Sequence, residues 1–304
     1  MNKIRQRILD ALPIRLRFAL RYMKLHRRFS LLLFPTLFTE KLMLRIAIDR
    51  RDILRQAADK VEMRRYVENK VGKRYLPQLY CLTDDPRSIA FDTLPSKFVV
   101  KANHGSGFVR VVTDKRTIDV QSLVSECQGW LNIDYSQYWG EWAYSGLKRC
   151  MMVEEFVESS YKDNQGIPAN FRFFVFDGQC AMVMVVIGKS PSARMNLYYP
   201  PWKPVPPTCL GLAPGYSPTE GPLEPPADLR AVIALAEDVA RGIDFARVDL
   251  YSTPCGPLVD ELTMTPWAGM RRFPDKKFDR LLGKKWKLPK EFDGKRGSPR
   301  QATL

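Results

Sequence analysis

Around residues 245–263 polar and apolar positions alternate. Arg247, Asp249, Glu261 and Thr263 are separated by Val248, Leu250 and Leu262, and Ser252-Thr253-Pro254-Cys255-Gly256-Pro257 lies between the two runs. A period of two marks a half-buried strand, and Pro and Gly between two such runs mark a turn. The pattern predicts a β-hairpin with Arg247, Asp249, Glu261 and Thr263 on one face, because side chains two apart on a strand point the same way. Asp177-Gly178 between apolar runs at 171–176 and 180–187 predicts a second hairpin. Lys97-Phe98-Val99-Val100-Lys101 reads as a strand, 102–107 as a tight loop, 108–113 as the returning strand and 150–157 as an apolar strand. Helices are predicted over 39–58, from Asp59-Lys60 to near Gly72, over 120–131 and over 228–241, the last stopped by Gly242.

Two segments stay open. Residues 1–30 place Ile4, Ile8, Leu9, Leu12, Ile14, Leu16 and Leu20 among arginines, which suits a basic amphipathic helix packed on its own domain or lying on a membrane surface. Residues 188–226, rich in Pro and Gly with Tyr198, Tyr199, Trp202 and Tyr216, read as a substrate lid or a passive loop.

Composition narrows the class. The 304 residues are 45% hydrophobic and 27% charged, ordinary for a soluble globular chain of one large domain or two to three lobes. The longest apolar run, 181–187, is too short to span a bilayer. Six scattered cysteines without a C-x-x-C pair, and only His26 and His104, argue against a zinc site or a disulfide framework and lead us to expect reduced thiols in a cytoplasmic protein. Net charge is +15, with +8 in residues 1–30 and +8 in residues 271–304. Basic ends on a near-neutral middle suit an anionic partner: acidic polysaccharide, phospholipid headgroups or nucleic acid.

The chemistry sits in few places. Two carboxylates, a hydroxyl and a guanidinium on one sheet face suit Mg²⁺ with a polyphosphate, and equally a solvated polar face. Gly105-Ser106-Gly107 beside Lys101 would let backbone N–H groups approach an anion. Arg110 stands where a dinucleotide fingerprint needs glycine, and Val183 where a P-loop needs one upstream of Gly188-Lys189-Ser190. His104 reads as a phosphate-facing or hydrogen-bonding residue rather than a base.

Taken in order, these pieces resemble the ATP-grasp superfamily, which includes the D-alanine–D-alanine ligases. Asp59-Lys60, Lys101 with Asn103-His104-Gly105-Ser106-Gly107, Met152-Val153-Glu154-Glu155-Phe156-Val157, Arg247-Val248-Asp249 and Glu261-Leu262-Thr263 carry the likeness. With Phe34-Pro35-Thr36-Leu37-Phe38-Thr39-Glu40-Lys41 and Asn170-Phe171-Arg172-Phe173-Phe174, they are most similar to the TupA-like ATP-grasp proteins of teichuronopeptide and capsular polysaccharide biosynthesis. The resemblance implies an α+β ATP-grasp fold, two lobes with antiparallel sheets clasping ATP. It implies a basic helical region 1–58, a lid lobe 59–157, a metal-bearing lobe 158–286 and a basic tail 287–304.

The resemblance also implies roles. Asp249 and Glu261, assisted by Thr263, would hold Mg²⁺. Lys60 and Lys101 would neutralise the ATP phosphates beneath a flap of His104, Gly105, Ser106 and Gly107. Glu154, Glu155, Phe156 and Val157 would take adenine, with backbone groups near Glu155 and Val157 reading its edge. Arg247 and Arg172 would steady the transferring phosphoryl group. Thr263 replaces the usual Asn, and Asn170 stands near where a ribose-binding carboxylate falls. The activity implied is a carboxylate–amine ligase working through an acylphosphate on a uronic-acid-containing polysaccharide with an amine or amino acid. The alternatives are a phosphotransferase acting on a sugar hydroxyl and a glycosyltransferase. The site would be cytoplasmic, with the basic N-terminus at an anionic inner membrane face; nucleic acid is the weakest partner.

Overall fold

The computed structural model describes residues 12–159, 161–188, 192–212 and 215–292. Within them run α1 (Ile14–His26), α2 (Phe38–Ile48), α3 (Asp52–Ala58), α4 (Lys60–Val71), β1 (Leu79–Thr83), β2 (Phe98–Ala102), β3 (Val109–Val112), α5 (Val120–Leu131), α6 (Ser136–Trp139), β4 (Met151–Glu155), β5 (Asn170–Phe176), β6 (Gln179–Ile187), β7 (Ala193–Tyr199), β8 (Lys203–Val205), β9 (Tyr216–Ser217), α7 (Leu229–Ala240), β10 (Phe245–Tyr251), β11 (Leu258–Thr263) and α8 (Lys276–Lys285). The architecture is α+β.

Two sheets carry it. A four-stranded antiparallel sheet, β1-β4-β2-β3, is backed by α5 around Phe98, Val100, Leu123, Cys127 and Val153. A seven-stranded sheet runs β11-β10-β5-β6-β7-β8, antiparallel throughout, with β9 added parallel to β7. The β5–β6 turn has Asp177 at φ 50° and Gly178 at φ 75°, the positive angles a two-residue hairpin turn needs.

Both faces of the large sheet are covered, so its strands are apolar on both sides. Phe171, Phe173, Val175, Val248 and Leu250 pack under the amphipathic α7, and also under Met63 and Val67 of α4. Residue 59 is where the sequence reading opens the lid lobe, yet α4 shares the core of the large sheet. On the other face Phe38 of α2 meets the rings of Phe174, Phe176, Phe245 and Phe273 edge-on, with centroids 5.0 to 6.2 Å apart. Burying such an aromatic cluster contributes several kcal/mol by removing each ring from water (about 1.5–3 kcal/mol per side chain). At Gly283 helix α8 runs so close that an added Cβ would lie 2.2 Å from the Thr36 carbonyl oxygen.

Two expectations are corrected. The helix over 39–58 is two helices, because Asp49 adopts extended backbone and its carboxylate accepts the Arg51 N–H at 3.1 Å, diverting the chain from helical bonding. The 188–226 excursion is neither lid nor passive loop where it forms β7, whose Met195 and Leu197 enter one core and Tyr198 the other. Of the expected tail from 287, the described residues reach 292, where Phe292 is buried beneath the Arg51 guanidinium; the residues beyond lie outside those described. Helix α1 packs on its own protein through Ala19 and Tyr22, with Leu16 and Leu20 exposed; the part of the 1–30 helix before residue 12 is outside the described residues.

Candidate active site

The hairpin aligns as the alternation requires. Arg247 pairs with Thr263 and Asp249 with Glu261 across β10 and β11, while Arg172 of β5 stands opposite Asp249. The buried Arg247 guanidinium forks onto Asp249, Nε to Oδ1 at 2.6 Å and Nη2 to Oδ2 at 2.7 Å, and Nη2 also donates to Glu261 Oε2 at 3.1 Å. Arg172 Nε donates to Asn170 Oδ1 at 2.7 Å and lies 3.5 Å from Asp249 Oδ2. Burial pushes the Asp249 carboxyl up to about 6 against the pull of Arg247 and Arg172. For Glu261 burial acts the same way but is outweighed by Arg247 and Lys60, which hold its carboxyl below the usual range.

The donor set fits Mg²⁺. That ion takes one or two carboxylates and draws its other ligands from phosphate and water. Asp249 and Glu261 supply the carboxylates, and the buried Thr263 Oγ1 has no hydrogen-bond partner. Among the described residues no three His, Cys, Asp or Glu side chains form a metal cage.

The opposite wall is cationic. Lys101 Nζ, at the end of β2, lies 2.5 Å from Glu154 and 3.7 Å from Asp260. Burial disfavours its charge, but Glu154 and Asp260 outweigh that and raise its proton affinity. Lys60 shows the reverse: its Nζ donates to the Gly105 carbonyl at 2.7 Å, and burial lowers its proton affinity despite Glu261 and Asp260. Asn103 locks the corner between them. Its Nδ2 donates to Asp59 Oδ1 at 3.0 Å and to the Lys148 carbonyl at 2.9 Å, its Oδ1 accepts the Cys150 N–H at 2.8 Å, and its carbonyl accepts the Lys60 N–H at 2.9 Å. Asp59 meanwhile caps α4 through the Val61 N–H.

Between the walls lies a cavity of about 310 Å³ lined by Lys60, Lys101, Ser106, Gly107, Glu154, Glu155, Phe156, Val157, Arg172, Asp249 and Glu261, with Val99, Val111, Phe108 and Ile167 as apolar lining. Four predicted residues do not face it. His104 is buried against Phe108, its Nε2 3.2 Å from the Trp130 carbonyl oxygen, and burial lowers its proton affinity; it is a scaffold of the lid rather than a phosphate contact. Gly105 turns its carbonyl to Lys60, and at φ 79° an added Cβ would lie 2.6 Å from the Tyr135 ring. Arg247 acts from behind Asp249 and Glu261. Thr263 lines a separate void of about 20 Å³ with Glu141 and Glu261.

The Glu154 side chain faces Lys101 and Arg64 (2.7 Å) rather than a base, and the Glu155 N–H is committed to the Gln78 carbonyl at 2.9 Å. Asp260 went unpredicted. A bulge between Asp249 and Leu250 shifts the register, and Asp260 reaches the cavity, where Asn170 Nδ2 donates to its Oδ2 at 3.1 Å. The adjacent acidic pair Asp260-Glu261 was the available signal.

Residues 40–287 match the TupA-like ATPgrasp family. The chain belongs to that family. No curated protein sequence matches it. Among solved structures, the ATP-grasp RimK-domain protein of Sphaerobacter thermophilus is 15% identical with a TM-score of 0.43, over 75% of this chain and 66% of that one. The D-alanine–D-alanine ligase of Bacillus anthracis complexed with ATP is 17% identical with a TM-score of 0.41, over 70% of this chain and 57% of that one. The chain thus spans less than two thirds of either solved structure. The family assignment rests on the sequence match alone.

Proposed function

We propose that this TupA-like ATP-grasp protein is an Mg²⁺- and ATP-dependent carboxylate–amine ligase that modifies or assembles an acidic bacterial surface polysaccharide. The observation that carries the reading is the charge sorting of one cavity. Lys60 and Lys101 line it together with Asp249 and Glu261, and apolar side chains with the Glu155–Val157 stretch complete the lining. A triphosphate suits the charged part and a purine the apolar part. In this reading residues 59–157 act as the lid and 158–286 as the metal-bearing lobe, flanked by 1–58 and 287–304.

Phosphoryl transfer needs positioning and charge neutralisation more than covalent help. Lys60 releases the Gly105 carbonyl to meet phosphate, and Lys101, held by Glu154, supplies a fixed positive charge. Asp249 and Glu261 would hold Mg²⁺, which would offset charge on the phosphates, while Thr263 stands in the separate void beside Glu261. Arg247 fixes both carboxylates, and Arg172 faces the transferring group. Asp260, steadied by Asn170, supplies the carboxylate for the ribose hydroxyls. The acid substrate's oxygen attacks the γ-phosphorus and ADP leaves; the amine then attacks the acyl carbon and phosphate leaves.

The substrate context rests on charge. The basic termini suit a uronic-acid polymer. Beside α1, Leu32 is buried while Phe29, Leu31, Leu33 and Phe34 are exposed, an apolar tip next to Lys24 and Arg27 that suits the anionic cytoplasmic face of a membrane. ADP release with Mg·ATP across a panel of uronic acids and amino acids tests the activity. Mass spectrometry should find an amide; a stable phosphoester or no acid-dependent ADP release would contradict the ligase reading. Co-sedimentation with phosphatidylserine vesicles should fall for Phe29→Ser/Phe34→Ser, and unchanged binding would contradict the membrane contact.

A further inference from the structure

Arg271 is a buried cation without an anion. It is 9% exposed, and its Nε has no hydrogen-bond partner. Its guanidinium lies over the rings of Trp267 (5.2 Å) and Tyr216 (5.7 Å), and Nη2 meets only the Met195 sulfur at 3.8 Å. Among the described residues it forms no ion pair with a carboxylate. A buried charge in such surroundings costs stability unless something pairs with it. Burial lowers its proton affinity to about 10, with Tyr216 opposing and the nearby Arg172 adding to the shift.

The position matters as much as the charge. Met195, Phe174 and Trp267 share one packed cluster on the sheet face that also bears Arg172 and Asp249. Arg172 and Tyr216 both line the nucleotide cavity. Arg172 is already turned toward Asp249 and Asn170 by its Nε, so Arg271 is the cation left over on that side. The rings of Trp267 and Tyr216 would hold its guanidinium planar and in place, ready for a two-oxygen anion.

We propose that Arg271, together with Arg172, forms an anion subsite at the acceptor side of the cleft and takes the carboxylate of the acid substrate. This rests on the ligase reading for the identity of its ligand, but not for the existence of the subsite. The left-handed Trp267 and Ala268, at φ 54° and 50°, turn the chain just before Arg271 and bring it back over the sheet.

Calorimetric titration of the full-length protein in the presence of MgADP tests this, with D-glucuronate as the carboxylate probe, D-glucose as the neutral control and inorganic phosphate as the rival anion. Glucuronate should bind at least about tenfold more tightly than glucose. Arg271→Met should lose about tenfold or more of that affinity, Arg271→Lys should recover part of it, and ADP affinity should hold within about twofold. The ligand-free Arg271→Met protein should also melt higher than wild type, because an uncompensated buried charge is gone. Undiminished glucuronate binding by Arg271→Met, or no preference of wild type for glucuronate over glucose, overturns the subsite. Phosphate that binds through Arg271 and displaces glucuronate overturns the carboxylate assignment in favour of the transferred phosphoryl group. Arg271-dependent glucuronate binding without acid-dependent ADP release would leave the subsite standing and bring down the ligase reading.

Discussion

At the carboxylate end of the cleft, strand register places the charges: Arg247, Asp249 and Glu261 stand on paired strands, and one guanidinium binds both acids. At the lysine end, side-chain and loop contacts do the placing. Lys60 reaches a loop carbonyl, Lys101 reaches Glu154, and Asn103 ties the start of α4 to the loop after β2. The first arrangement rests on a sheet buried on both faces; the second rests on a smaller core and a glycine turn. Under the proposed function, closure over a nucleotide would use that difference, a carboxylate end fixed by the sheet and a lysine tied to its own loop.

The comparison predicts that the two ends fail differently. Glu261→Gln should lower kcat by roughly 100-fold or more with little change in metal-free ATP affinity, since the loss is of charge aimed at the reacting phosphate. Lys101→Met should raise the KM for ATP by about tenfold and leave Glu154 with Arg64 alone. Equal effects of both variants on kcat and KM, measured by ADP release, would erase the distinction.

Asn103→Ala is the next largest effect. It removes the side-chain hydrogen bonds to Asp59, the Lys148 carbonyl, the Cys150 N–H and His104 in a buried corner, and it should cost about 2–3 kcal/mol in denaturant unfolding because Asp59 and the Cys150 N–H lose a partner. Loss confined to ATP affinity, without destabilisation, would mean the corner is not structural.

Much of this was legible in the sequence because it depends on period. The 247–263 face and the Asp177-Gly178 turn follow from alternation and turn chemistry, and α5 and α7 from helical spacing. What was illegible depends on contacts between distant segments. Alternation cannot register the bulge that turns Asp260 inward. Strand β7 is hidden because both its faces are buried. His104 beside two glycines looks like a phosphate residue until Trp130 claims its ring. Arg271 looks like one more charge in the basic stretch from 271 onward until its burial is seen.

The smallest predicted effect concerns Glu141, whose carboxylate accepts from the Thr265 hydroxyl just past β11. Burial raises its carboxyl to about 7, with the Thr265 hydroxyl opposing. The folded protein therefore keeps a proton that the unfolded chain releases near pH 4.5, and this contribution to stability is lost as pH rises from there through 7. Glu141→Gln should flatten that slope and raise the melting temperature at pH 8 by a few degrees; an unchanged pH profile would place Glu141 in a more solvated setting.

Equilibrium titration of ATP into the full-length protein, with Mg²⁺ and then with Mg²⁺ removed by chelator, tests the central claim most directly. The account predicts saturable ATP binding that tightens with Mg²⁺ in wild type and loses that tightening in Asp249→Asn/Glu261→Gln, while the variant still binds ATP through Lys60, Lys101 and the apolar lining. Absence of ATP binding in wild type, or Mg²⁺-dependent tightening that survives in the double variant, would contradict it.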